Sequence, residues 1–260
     1  MGLINKFATF LMKPKEQQTG YICPGCFRIN SNDDVCSYCN REFNAPVLSL
    51  RSRVKPTERR KLQAVLDLST TVDRTGSSAS FAKGIPMAYE LVLRDVVLHV
   101  KVVNCTLASH GDLDYDEKFI VHCSKSDSET AIGEMRSITY QGGGDPEEHH
   151  LDAIESLLMV TPWHANPLEA RSVILCFASS ESKPLRSGKS PKELGIEIRN
   201  RGILLYLVCE RTTRMMELIK GADGFFFQIS NSPSPEELRV ISNALGKSIV
   251  ASIQTGGTIV

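Results

Sequence analysis

An α/β fold with a doubly wound, mostly parallel sheet is the expectation for most of this chain, and three observations predict it. From residue 61 onward, short apolar runs of strand length alternate with longer stretches at helical spacing. The first run, Leu62 to Leu66, has the apolar character of a strand covered on both faces. It ends in a cluster of oxygen side chains, Asp67-Leu68-Ser69-Thr70-Thr71, and an open α/β sheet presents its ligands at the carboxyl ends of such strands.

Taken in order, residues 3–12 come first. Leu3, Ile4, Phe7, Ala8, Phe10 and Leu11 fall near helical spacing and predict a short amphipathic helix within residues 1–15. Such a helix can dock on a protein, lie on a membrane surface or fold back on its own chain. It lacks the continuous apolar core and cleavage site of a signal peptide, and no run of eighteen apolar residues predicts a membrane span. A cytoplasmic chain is expected.

Residues 20–44 contain Cys23, Cys26, Cys36 and Cys39 in the pattern C-x2-C-x9-C-x2-C. Each C-x2-C is a tight knuckle with both thiolates on one side, and two knuckles make a tetrahedral S4 site for a structural Zn²⁺. The pattern resembles a zinc ribbon. Four thiolates leave no open position, which argues against catalysis by this zinc. So small a unit has almost no core, so metal binding would supply most of its folding energy. Two disulfides are the competing reading, and nothing else in the sequence points to an oxidising compartment.

Residues 45–60 read as a basic linker that includes Arg51, Arg53, Arg59 and Arg60. It is either a solvated tether or a strip for phosphate and nucleic acid. The chain carries thirty Lys/Arg and thirty Asp/Glu, which argues against a general nucleic-acid binder, but residues 1–60 hold ten of the former against five of the latter.

Within 61–247 the expected elements are a strand at Leu62–Leu68, a helix at Phe81–Leu98 running into a strand near Val97–Leu107, a strand at Lys118–Cys123 and a helix at Asp127–Ser137. A helix at Pro146–Met159, a strand at Ser172–Phe177, a helix at Pro191–Arg201 and a strand at Ile203–Cys209 follow. The last three are a helix at Thr212–Lys220, a strand at Gly224–Ile229 and a helix at Pro235–Leu245, opened by a Ser234/Glu237 capping pair. Residues 248–260 read as a tail, loose or paired at an edge.

Asp67, Ser69 and Thr71 stand at i, i+2 and i+4. Where the strand gives way to a loop, a carboxylate and two hydroxyls would converge, and hard oxygen ligands suit Mg²⁺ or Mn²⁺. Other signals carry less. Ser187-Gly188-Lys189-Ser190 lacks the first glycine of a phosphate loop. Gly76-Ser77-Ser78-Ala79-Ser80 is expected to be a loop beside the metal crevice. Glu147-Glu148-His149-His150, placed on a helix, diverge by about 100° per residue and are expected on a solvated face. Cys105, Cys123, Cys176 and Cys209 are expected as inert buried thiols, and Trp163 as a packing residue.

Three stretches together resemble a von Willebrand factor A domain: LDLSTT at 66–71, the Asp-rich 111–138 and QGGGDPEEHHLDAIESLL at 141–158. The resemblance covers residues 60–247 and is closest to the branch found beside alpha-kinases and in bacterial relatives. It implies a metal-ion-dependent adhesion site on three loops. Asp67, Ser69 and Thr71 would match the first loop and Asp145 the second. Ala178 or Ser179 stands where the third loop usually carries Asp. It further implies a non-enzymatic adaptor or scaffold whose Mg²⁺ or Mn²⁺ is completed by an acidic residue of a protein partner, as in bacterial multi-protein stress or defence systems. The alternative is a nucleic-acid-binding accessory protein that uses the ribbon and the basic linker.

Overall fold

The computed structural model describes residues 21–22, 29–30, 65–79, 83–115, 117–166, 169–230 and 232–254. The amphipathic helix, the four ribbon cysteines and the basic linker lie outside the described residues. Two short strands, β1 (Tyr21–Ile22) and β2 (Ile29–Asn30), pair antiparallel on either side of the segment that holds Cys23 and Cys26.

The rest is one α/β unit. Its strands are β3 (Val65–Asp73), β4 (Val102–His110), β5 (Ile120–Ser126), β6 (Ala170–Phe177), β7 (Leu204–Cys209) and β8 (Phe225–Gln228). They form a sheet in the order β5-β4-β3-β6-β7-β8, parallel throughout except for β5, which runs antiparallel at one edge. The chain builds outward from β3 through β4 to β5, then returns to the other side of β3 with β6. The carboxyl ends of β3 and β6 are therefore the switch point where open sheets bind ligands.

The helices are α1 (Ile85–Val97), α2 (Ser128–Ser137), α3 (His150–Val160), α4 (Pro191–Asn200), α5 (Thr213–Ala222) and α6 (Pro235–Gln254). Local signals set their starts: Asp127 accepts from Thr130 N at 2.8 Å to cap α2, and Ser190 with Glu193 makes a full capping box for α4. The second of these explains the Ser187–Ser190 run as a helix start. At α6 only half the expected box forms. Glu237 N donates to Ser234 Oγ, while the Glu237 carboxylate turns to Ser230. This helix continues to Gln254, with Ile249, Val250 and Ile253 buried, so residues 248–254 are part of it and not a tail.

Two apolar layers sandwich the sheet. One joins Leu66, Leu68 and Val72 of β3 to α1, α2 and α6, through Tyr89, Met135 and Leu245 among others. The other joins Ile174 and Leu207 to α3, α4 and α5. The period-2 alternation of a strand sends the other side chains of β3 to the α3 face. From the second position on, those are Asp67, Ser69, Thr71 and Asp73, all buried.

Candidate functional site

The strand that organises the site is longer than its sequence suggests. It does not open into a loop after Leu68. It pairs with β4 from Val65 to Asp73 and with β6 from Val65 to Val72. Ser69, Thr70 and Thr71 resemble turn residues, but two of the three are β-branched and all three sit in a central strand.

Asp67, Ser69 and Thr71 share a face as expected, yet an extended chain separates the first from the last by about 13 Å. Each has its own partners. Asp67 accepts from Asn104 Nδ2 at 2.9 Å and from His164 N at 2.6 Å. Ser69 Oγ pairs with Thr161 Oγ1 at 2.7 Å, and Thr71 Oγ1 lies 2.9 Å from His110 Nδ1. The structure therefore does not bring these three together at one point. Nor does Asp145 reach them, because its carboxylate pairs with Lys183 Nζ at 3.1 Å.

The oxygen cluster forms at the true end of β3, six residues on, around Asp73 and Thr75, where the sequence reads Asp73-Arg74-Thr75-Gly76-Ser77. This has the same D-x-S/T-x-S/T spacing. Asp73 Oδ1 accepts from Thr75 N at 2.9 Å and from Thr75 Oγ1 at 2.7 Å, and Asp73 Oδ2 accepts from Ser179 Oγ. Burial alone would raise the pKa of Asp73. The facing imidazoles of His150 and His110 and the hydrogen bonds from Ser179 and Thr75 hold it below its ordinary value instead. Both imidazoles are pushed down by burial, His110 to about 3, so at neutral pH they are uncharged and the donated hydrogen bonds keep Asp73 ionised.

Three loops meet here. The first is tied to the glycine loop by Gly76 N donating to Gly142 O and by Gln141 N donating to Arg74 O, both at 2.9 Å. Gly142 and Gly143 take φ of +84° and +83°, a left-handed turn that glycine adopts without strain. A Cβ on Gly143 would lie 3.2 Å from Thr75 Cβ and 3.5 Å from Glu148 Oε1, so Thr75 and the Glu148 carboxylate flank the same glycine. The third loop, after β6, supplies Ser179.

Glu148 is the residue that sequence reasoning misplaced. It precedes α3, which begins at His150, so the helical divergence argument does not apply to it. Glu148, His149 and His150 are buried, not solvated. Neither oxygen of Glu148 has a hydrogen-bond partner among the described residues, since the one proton of the neighbouring Thr75 hydroxyl goes to Asp73. Burial, with Asp73 and Asp112 adding negative charge nearby, pushes its pKa up to about 8. A buried carboxylate with neither oxygen hydrogen-bonded among the described residues, beside a second carboxylate and the Thr75 hydroxyl, is a donor set that fits a hard divalent cation. The two carboxylates together carry the charge that such an ion balances.

A polar chain supports the third loop from beneath. Thr71 reaches His110, His110 Nε2 lies 2.7 Å from His150 Nδ1, and His150 Nε2 lies 3.3 Å from Ser180 Oγ, which donates to Glu181 O. With Ser180 as a donor to Glu181, each imidazole passes one N–H toward Ser180 and accepts on its other nitrogen. Thr71 thus anchors the loop that carries Ser179. The spacing of Asp73, Thr75 and Ser77 was visible in the sequence. Glu148 had no comparable signal.

A second acidic group lies alongside. Ligand atoms of Asp112, Asp114 and His149 all fall within 4.8 Å of one another. Lys183 Nζ enters this group, 2.9 Å from both Asp112 oxygens and 2.7 Å from Asp114 Oδ2.

No family model matches the sequence, and no curated protein does. Solved structures do match the fold. The VWA domain of SpRpn10 superposes with a TM-score of 0.55 at 13% identity, over 70% of this chain and 95% of that one. Proximal thread matrix protein 1 from the mussel byssus, in a structure whose MIDAS motif is occupied by zinc, gives 0.54 at 15% identity over 73% of this chain. The match spans 47% of that protein's length. The fold is thus that of a von Willebrand factor A domain. Among the described residues no helix is long and apolar enough to cross a membrane.

Proposed function

We propose that this chain is a non-catalytic binding module whose VWA domain captures a protein partner through a divalent cation at the carboxyl ends of β3 and β6. Asp73, Thr75 and Glu148 would hold the ion, with Ser179 orienting Asp73 and Ser77 completing the D-x-T-x-S sequence. The ion is Mg²⁺ or Mn²⁺, as the all-oxygen donor set favours. Bound there, it supplies a Lewis-acid position that a partner's Asp or Glu can complete. The single observation that carries this reading is Glu148, buried with neither oxygen answered, next to Asp73.

The first-loop residues of the proposal are therefore Asp73 and Thr75, in place of Asp67, Ser69 and Thr71, and the second acid is Glu148 in place of Asp145. The MIDAS named for the mussel protein is a parallel from the fold alone. Beside the crevice Asp114, Asp145 and the buried Asp112 face the single cation Lys183, and Glu147 pairs with Arg214, so acids outnumber the cations they meet, which supports a protein partner over nucleic-acid phosphates.

We further propose a structural zinc at Cys23, Cys26, Cys36 and Cys39. The pairing of β1 with β2 supports it, because it closes the two ends of the segment that holds the first knuckle. A cytoplasmic setting agrees with the free thiols of Cys105, Cys123, Cys176 and Cys209.

The test is a calorimetric titration of Mg²⁺ and Mn²⁺ into the zinc-loaded protein. Binding that disappears in Asp73→Asn and in Glu148→Gln but persists in Asp67→Asn is the expected result. Binding lost in Asp67→Asn and kept in Asp73→Asn would overturn this site, as would no binding to the unmutated chain with or without an acidic partner peptide.

A further inference from the structure

A buried carboxyl group without a hydrogen-bond partner should turn away unless something holds its backbone in place. We propose that Lys183 is the positioning residue for Glu148: its ammonium serves as an internal cation that locks three loops together and presents Glu148 to the crevice. This inference rests on the divalent-cation reading of that crevice.

The lock has a main-chain half and a side-chain half. Lys183 N donates to Glu148 O at 2.7 Å, and Glu148 N donates to Glu181 O at 3.1 Å, so the backbone of Glu148 is clamped on both sides to the segment after β6. The Lys183 side chain then runs to the loop after β4, where Nζ meets both oxygens of Asp112 at 2.9 Å and Asp114 Oδ2 at 2.7 Å. It also meets Asp145 Oδ2 at 3.1 Å, in the glycine loop three residues before Glu148. Loops after β4 and β6 and the glycine loop are thereby joined at one nitrogen. Lys183 and Asp112 are buried, which leaves little water to replace these contacts.

The ammonium stands where a divalent ion would otherwise be held. Three carboxylates surround it, and His149 Nδ1 is 3.1 Å from Asp112 Oδ1. Removing the ammonium leaves three carboxylates facing one another with no counter-charge, so a small cation should replace it. Lys183 would do two things: keep that place filled, and keep Glu148 aimed at the other one.

The experiment counts bound Mn²⁺ by electron paramagnetic resonance, on full-length zinc-loaded protein, for the unmutated chain, Lys183→Met, Lys183→Arg, Asp73→Asn and the Asp73→Asn/Lys183→Met double variant. The expected counts are one for the unmutated chain, two for Lys183→Met, one for Lys183→Arg, none for Asp73→Asn and one for the double variant. The crevice ion in Lys183→Met should bind about tenfold more weakly, in the range that outer partners of a metal ligand typically contribute. Equal counts and equal affinity in Lys183→Met and the unmutated chain would overturn the inference. If the crevice reading alone fails, the unmutated chain binds none while Lys183→Met still gains one. If Lys183→Met does not fold unaided, refolding in millimolar Mn²⁺ but not in Na⁺ of equal ionic strength supports the role, and no recovery in Mn²⁺ overturns it.

Discussion

Two acidic groups sit side by side at the carboxyl edge of the sheet, and they satisfy their charge in different ways. Asp112, Asp114 and Asp145 surround an ammonium that the chain itself provides, Lys183. Among the described residues, no such cation pairs with Asp73 or Glu148. Asp73 is stabilised by donated hydrogen bonds, and Glu148 is left with a pKa pushed up to about 8. The first arrangement is complete and structural. The second is incomplete among the described residues, and the proposed cation site rests on that difference. Acidic residues alone do not distinguish the two. The presence or absence of an internal counter-charge does.

The two groups differ most in what happens when a ligand is lost. Asp73→Asn and Glu148→Gln each remove half the negative charge of the crevice, and divalent-cation affinity should fall by about a hundredfold or more, beyond what outer partners contribute. Calorimetry reads this directly. The filled group responds in stability instead. Lys183→Met leaves Asp112 buried and uncompensated, and chemical denaturation in chelex-treated buffer should show a loss of about 2 kcal/mol, below the full cost of a broken buried pair because water reaches Asp114 and Asp145.

A pH series sharpens the contrast. The folded-state pKa of Glu148 is raised above its unfolded value, so its proton stabilises the fold. That contribution is complete below about pH 4.5 and is lost as pH rises through about 8. Cation-free protein should therefore lose stability across that window, and Mg²⁺ should raise Tm more at pH 8 than at pH 5. In Glu148→Gln both effects should be absent, and the cation-free variant should melt higher than the unmutated chain at pH 8. A Mg²⁺-induced rise in Tm that is the same at both pH values would contradict this.

Smaller effects mark residues outside both groups. Asp67→Ala removes two hydrogen bonds inside the α3 layer and should cost about 2 kcal/mol in denaturant melts while leaving Mg²⁺ affinity within about twofold. Ser190→Ala removes the cap of α4 and should cost about 1 kcal/mol with no effect on either group.

The alternation of strands and helices was legible in the sequence because hydrophobic period reports burial directly. The expected β6, β7 and β8, and α2, α4 and α5, agree with those observed to within two residues at each end. The site was legible in kind but not in place. Asp67-x-Ser-x-Thr and Asp73-x-Thr-x-Ser have the same spacing, and only the length of β3 separates them. Hydroxyl residues at 69–71 imitate a turn, and the hydrogen bonds that keep them in the strand come from Thr161 and His110, distant in sequence. Glu148 and Lys183 were illegible for a related reason. One is buried by a bridge to Ser182 and the other by acids from two other loops, none of which a local pattern contains.

The most direct test is the number of protons released when Mg²⁺ or Mn²⁺ binds at pH 7, measured by titration calorimetry in two buffers of different ionisation enthalpy. Glu148 must give up its proton to accept the ion, so about one proton should be released per ion, and none in any residual binding by Glu148→Gln. Cation binding with no proton released, or with the same release in Glu148→Gln, would contradict the claim that the unanswered Glu148 is the ligand the crevice keeps for its cation.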